Sequence, residues 1–397
     1  MEVLNESDII NEEEEEEKKQ QANPPCKEVT YVMTELHEFL KQVFERLPAR
    51  SLLRCSRVCK RWKSVATLIL KARESFTWAQ YNSHIWSRED ERELPVPYIL
   101  GYFGLDLNIC LQEAWSVPTA CLLLTEFKRT SDFHGTSLEE ASGVDVDSYV
   151  SSLLPSSCQV VAVTVPGTVC TTRDLTNCAE SEGEGGAVAI LFPEMNGARI
   201  TRFSIRNNLG GNIWEQSGIE RHEDVKCILT FTPKTSTARK LAGEKLQEAF
   251  FKDGQTPVIA GAIVDHVLRY VVVNGGKSTT ECIVFSGERI SAASVLLDQD
   301  AYTEELVHKE LMRLKSAGLS EKNSIGLMFA CIGRGCDFYS AWDVESKVFR
   351  TLFPKTPLFG LFGNGEIGCT NLPQSKWKNL PEMAHGYTTI MCLISFG

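Results

Sequence analysis

The stretch from Leu36 to Trp62 constrains this chain more than any other, because it carries more apolar surface than it can hide in itself. Leu36, Phe39, Leu40, Val43, Phe44 and Leu47 recur at the spacing of one helical face. Pro48 stops that helix, since it has no N–H to give and its ring clashes with the preceding turn. Leu52, Cys55, Val58, Cys59, Trp62, Val65, Ala66 and Ile69 repeat the spacing and predict a second, basic helix. Two short helices cannot saturate both stripes against each other. The surplus is expected to face the rest of the chain or a partner. An ordinary helical hairpin is the competing reading, and a basic helix carrying Trp62 is unusual for one.

The charge pattern points to a partner. The chain carries a net −11, unevenly spread. Residues 1–28 hold ten acidic and three basic residues, whereas residues 36–78 hold ten basic and three acidic. A basic module between acidic bodies suggests an acidic partner surface. Nucleic acid is disfavoured: the basic helix spends its other face on Leu, Val, Cys and Trp, and the acidic remainder repels phosphate. Residues 1–29 read as a disordered acidic tail, because the Glu12–Glu17 run repels itself and offers nothing to bury.

Composition excludes several classes. Of 397 residues, 43% are hydrophobic and 23% charged, as in ordinary globular proteins. No opening apolar stretch resembles a signal peptide and no apolar run is long enough to span a bilayer, so an intracellular protein without membrane contact is expected. The fourteen cysteines sit among apolar neighbours and include no CxxC, and the seven histidines never fall at i, i+4. Neither a disulfide framework nor a metal site is expected, nor any cofactor.

From about residue 98 strand-length apolar runs alternate with helical periods, which predicts an α/β body built on a mixed sheet. Pro118–Thr125, Gln159–Val165, Ala187–Phe192, Arg199–Ile205 and Val225–Phe231 read as strands, with helices over Leu138–Leu154 and Ser236–Phe251. Asp174–Gly186 reads as a mobile loop. In the second half, Val258–Val264, Tyr270–Val273, Glu281–Phe285, Ile290–Leu297, Ser324–Ile332, Pro357–Phe362 and Tyr387–Phe396 read as strands. Thr303–Ser316 and Val344–Leu352 read as helices, and Asn274-Gly275 and Ser286-Gly287 as hairpin turns. Leu68–Trp78 reads as a further helix or half-turn.

Two family resemblances rest on residues now quoted. Leu47-Pro48, Leu52-Leu53-Arg54 and Val58-Cys59-Lys60-Arg61-Trp62 resemble an F-box, although the family's opening Leu-Pro is Thr34-Glu35-Leu36 here. Met328–Gly335 and Pro357–Gly368 resemble the C-terminal half of FIST domains, which are intracellular sensory or signalling domains. The resemblance implies a tail at 1–29, an F-box at 30–78, a connector at 79–97, a FIST-like N-terminal half at 98–252 and a FIST C-terminal domain at 253–397. It also implies a non-catalytic receptor subunit of an SCF ubiquitin ligase, cytoplasmic and nuclear. Such a subunit would bind S-phase kinase-associated protein 1 through Leu36, Phe39, Leu40, Leu47, Pro48, Leu52, Leu53, Val58 and Trp62, and through it cullin-1. Its substrates would be chromatin and transcription regulators marked for proteasomal degradation.

Candidate chemistry in the body is sparse. Gly363, Gly365 and Gly368 spell GxGxxG after a strand, but Pro373 argues against the helix that a dinucleotide site requires. Gly275-Gly276-Lys277-Ser278 lacks the first glycine of a P-loop. Cys331, Arg334 and Glu366 stand at strand-to-loop junctions, where α/β sheets place ligand sites. Arg334 supplies a fork for a carboxylate, and it either serves a ligand or forms a structural ion pair with Glu366. Cys331 is either a core thiol or a reactive one activated by Arg334. A small-molecule sensor or thiol enzyme is therefore the alternative function.

Overall fold

The computed structural model describes residues 37–82, 96–126, 146–183, 185–206, 213–234, 241–252, 256–268, 279–375, 377 and 379–397. The acidic tail, Leu36, Tyr270–Val273 and the Asn274–Ser278 turns lie outside these residues. The chain divides into two compact units, Met1–Ala72 and Arg73–Gly397.

Among the described residues the first unit holds three helices where the spacing predicted two: α1 (His37–Phe44), α2 (Ala49–Cys55) and α3 (Lys60–Lys71). Pro48 ends no helix; it is the N-cap of α2, with φ −61°. The expected second helix breaks after Ser56 and restarts at Cys59, which is extended and accepts from the Trp62 N–H through Sγ at 3.5 Å. The break has a packing reason. In an unbroken helix Leu52 and Val65 would stand roughly 20 Å apart at 1.5 Å per residue. The turn instead folds Leu52, Val65, Ala66 and Ile69 onto Leu40 and Phe44 in one small core. Phe44 and Trp62 meet edge to face at 5.2 Å.

The second unit opens on β1 (Thr77–Asn82), so Thr77 and Trp78 end no helix and residues 79–82 are sheet rather than connector. Next come α4 (Val96–Glu113), β2 (Pro118–Thr125), α5 (Val146–Leu153), β3 (Gln159–Thr164), β4 (Gly167–Thr171), β5 (Cys178–Ser181), β6 (Gly186–Pro193) and β7 (Arg199–Arg206). Helix α4 escaped the periodicity argument because Ile109 and Leu105 stay exposed while Phe103, Leu107 and Cys110 are buried, which makes it apolar all round. The segment read as a mobile loop contains β5, and Glu180 within it is buried. The chain continues through α6 (Ile213–Ser217), β8 (Val225–Pro233), α7 (Leu241–Lys252), β9 (Val258–Val264), β10 (His266–Leu268), β11 (Thr279–Ser286) and β12 (Ile290–Leu297). It ends with α8 (Glu304–Lys315), β13 (Ser324–Cys331), α9 (Cys336–Tyr339), α10 (Val344–Leu352), β14 (Leu358–Gly363), β15 (Glu366–Gly368), β16 (Ala384–His385) and β17 (Thr389–Phe396).

These strands form three mixed sheets: β1-β6-β2-β3-β10, β16-β15-β9-β8-β11-β7 and β12-β17-β13-β14-β4-β5. Each sheet is built on one parallel pair joined through a helical crossover: β2 with β3, β8 with β9, and β13 with β14. After each pair the chain crosses into another sheet. Strand β4 pairs with β14, β10 with β3, and β15 with β9, so the sheets are laced in a ring. Their inner faces share one core, with Leu122 and Val163 from the first, Leu229 and Ala260 from the second, and Phe329 and Leu361 from the third. Helices cover the outer faces in three further clusters. The Ser286-Gly287 turn is no hairpin, because β11 pairs with β7 and β8 while β12 pairs with β17. Among the described residues no helix is long and apolar enough to cross a membrane.

Candidate functional site

The small unit divides its apolar residues between core and water. Leu40 and Leu52 are fully buried in its core, and Leu47 and Trp62 are packed against that core. Pro48 is half-buried. Phe39, Leu53, Val58 and Leu68 are exposed. Phe39 and Leu40 are neighbours on one helix, and Leu52 and Leu53 on the next, so each helix has an inward and an outward apolar residue. Arg54, Arg57 and Lys60 are exposed beside Leu53 and Val58. Leu36 lies outside the described residues.

In the body, the strand-end trio does not form the arrangement expected of it. Arg334 is 1% exposed and pairs with Glu345 on α10, Nε to Oε1 at 2.8 Å, not with Glu366. Its Nη1 donates to the carbonyls of Asp298 (2.8 Å) and Tyr387 (3.2 Å). Its Nη2 donates to the Ala301 carbonyl (2.9 Å) and the Tyr339 hydroxyl. All five guanidinium N–H groups are thereby used, and none is left for a ligand. Burial pulls the Arg334 pKa down, but the charge of Glu345 and the Tyr339 hydroxyl outweigh it, so the net shift is upward. Sequence spacing missed Glu345, although an acidic residue in the first turn of a helix eleven positions on was visible.

Glu366 is fully buried on β15. Its Oε2 accepts from Thr388, from N at 3.2 Å and Oγ1 at 2.6 Å, while Oε1 has no partner. Burial pushes its carboxyl up to about 7 against the opposing Thr388 bonds. Cys331, at the end of β13, is also buried, and burial followed by the Glu366 charge raises its pKa. Arg334 therefore does not activate this thiol, and the core reading of Cys331 fits the geometry. Among the described residues no group of His, Cys, Asp and Glu could hold a metal ion. The GxGxxG segment runs from β14 into β15, a strand rather than a helix.

A second buried carboxyl was missed altogether. Glu180 accepts from the Ser346 N–H at 3.0 Å, and its own N–H donates to Asp343 at 2.9 Å, tying β5 to α10. Burial, then the charge of Glu345, pushes it up to about 8 from an ordinary 4.5. A carboxyl raised in the fold contributes stability that is complete below about pH 4.5 and lost as pH rises through about 8. Between pH 5.5 and 7.5, Glu180→Gln is therefore expected to flatten the fall of unfolding free energy by about 1.4 kcal/mol per pH unit. Urea titrations across that range check it, and an unchanged slope refutes it.

Comparison with known proteins adds the following. A family model described as F-box-like matches residues 37–71. F-box only protein 22 of Homo sapiens is 31% identical over 403 aligned residues, covering 93% of this chain and 94% of that protein. The Pongo abelii protein of the same name is 30% identical with the same coverage. Among solved structures, cyanuric acid hydrolase from A. caulinodans covers 82% of this chain and 99% of its own at 8% identity and a TM-score of 0.38, which carries no argument.

Proposed function

Because the chain belongs to the F-box only protein 22 family, we propose that it is the substrate receptor of an SCF-type ubiquitin ligase. The observation that carries this reading is the small unit's own surface. It closes a core on Leu40, Phe44 and Leu52 and still leaves Phe39, Leu53, Val58 and Leu68 in water. Such side chains on a basic module suit a partner that is apolar at its centre and acidic around it. In this reading the partner is the adaptor S-phase kinase-associated protein 1, through which cullin-1 joins. Phe39, Leu53 and Val58 make the contact, together with Pro48 and Trp62. Leu40, Leu47 and Leu52 set the helices that present it.

The body, FIST-like in Met328–Gly335 and Pro357–Gly368, then holds a chromatin or transcription regulator in the cytoplasm or nucleus for ubiquitination and proteasomal degradation. Proximity to the charged E2 supplies the rate, so the chain needs no nucleophile of its own. The test is adaptor capture by the full chain with Leu53→Asp and Val58→Asp together. Both side chains are exposed, so the fold is expected to survive while affinity falls about a hundredfold or more. Undiminished capture would overturn the reading.

A further inference from the structure

Four large side chains crowd the loops around Arg334. Tyr302 is 61% exposed, Ile332 51%, Trp342 41% and Tyr387 63%. Each lies on a segment tied to the same buried guanidinium, directly or through a neighbouring residue. Tyr302 follows Ala301, and the carbonyls of Ala301 and Tyr387 both accept from Arg334. Ile332 lies two residues before Arg334 in the 3-10 turn Ile332–Arg334. Trp342 lies between Tyr339 and Glu345, which hydrogen-bond to Arg334 and to each other. The Tyr387 ring lies over Gly333, where an added Cβ would meet it at 3.0 Å.

These loops are also strained. Of the five non-glycine residues with positive φ among those described, three are here: Ser340 (52°), Asp343 (60°) and Tyr387 (60°). A non-glycine left-handed residue is strained and persists where the surroundings over-determine it. The guanidinium bonds directly to the Tyr387 carbonyl, and to Tyr339 and Glu345, which flank Ser340 and Asp343 in the chain. The segments that carry these side chains are therefore set before any partner arrives, which lowers the ordering cost of binding. Tyr and Trp in a rigid setting are also the usual anchors of protein interfaces.

The charge around them has one dominant sign. Asp298, Asp300, Glu304, Glu305 and Asp337 are exposed on the same loops and the start of α8. Lys347 on α10 is an exposed cation beside them, and it already faces Asp343 at 3.6 Å and donates to the Trp342 carbonyl at 2.9 Å. An acidic partner, including a second copy of this net-acidic chain, is repelled, and a basic one is attracted.

We propose that Tyr302, Ile332, Trp342 and Tyr387 form the docking surface for a basic segment of the target polypeptide, with an apolar anchor residue flanked by Lys or Arg. This rests on the receptor reading and names the surface and the chemistry it selects. The test pans a displayed library of random twelve-residue peptides on the full chain, with counter-selection on the Tyr302→Ser/Ile332→Ser variant and, separately, on Trp342→Ser. Peptides retained only by the unmodified chain are expected to carry Lys or Arg around an aliphatic or aromatic residue. Once synthesised, they should bind it at least tenfold more tightly than either variant, and more tightly as salt falls. The proposal is overturned if no peptide distinguishes the chains, if the distinguishing peptides are acidic, or if sedimentation shows a dimer that the variants lose. Adaptor capture by the same variants is measured in parallel. It is expected to be unchanged, so failure of the peptide result leaves the F-box reading standing, and loss of capture by the unmodified chain would sink that reading alone.

Discussion

Arg334→Met is expected to lower the unfolding free energy of the body by about 3–5 kcal/mol, the range for removing one partner of a buried ion pair. The argument is one of orphaned groups. Glu345 is 1% exposed and would lose its cation, while its Oε2 already has no partner. The carbonyls of Asp298, Ala301 and Tyr387 would lose a donor at the same time. Arg334→Lys does not restore them, because an ammonium is one point charge with three donors where five are used. Removing both charges in Arg334→Met/Glu345→Leu should recover part of the loss, since a buried pair replaced by apolar groups is often neutral. Urea unfolding of the three variants measures this. A loss under 1 kcal/mol for Arg334→Met would show that the clamp contributes little.

The second large effect is confined to the small unit. Phe44→Ala removes a ring that is 1% exposed and that meets Trp62 edge to face at 5.2 Å. Deleting a buried Phe costs about 3–5 kcal/mol. A unit whose core is Leu40, Phe44, Leu52, Val65, Ala66 and Ile69 has little stability to spare. Amide-exchange protection over residues 37–71 is expected to disappear, and adaptor capture with it, while β13 and β17 keep theirs. Persisting protection in α3 would mean that Phe44 is not what holds these helices together.

Those two experiments probe opposite kinds of information. The core positions of the small unit were readable along the chain, since Leu40, Phe44, Leu52 and Ile69 recur at helical spacing. So were most strands of the body: Val258–Val264 and Ile290–Leu297 have the bounds that β-branched runs and flanking breakers indicate. The F-box pattern from Leu47 to Trp62 was equally legible, because its information lies in residues a few positions apart. The candidate site was legible only as a place. Cys331, Arg334 and Glu366 do stand at strand ends, but the partner of Arg334 was not among them.

What the chain order could determine was every feature set by neighbours within a few residues: helical faces, strand runs, turn glycines, the basic module and its acidic flanks. What only the tertiary structure decided was which surfaces meet. It broke the second helix at Cys59 so that Leu52 and Val65 could share a core. It sent β11 and β12 across a Gly287 turn into different sheets, and it buried Glu180 in a segment whose composition resembles a solvated loop. The reason is physical: spacing reports the face on which a side chain lies, whereas burial and ion pairing depend on contacts between residues far apart in the chain, and a local pattern carries no record of them.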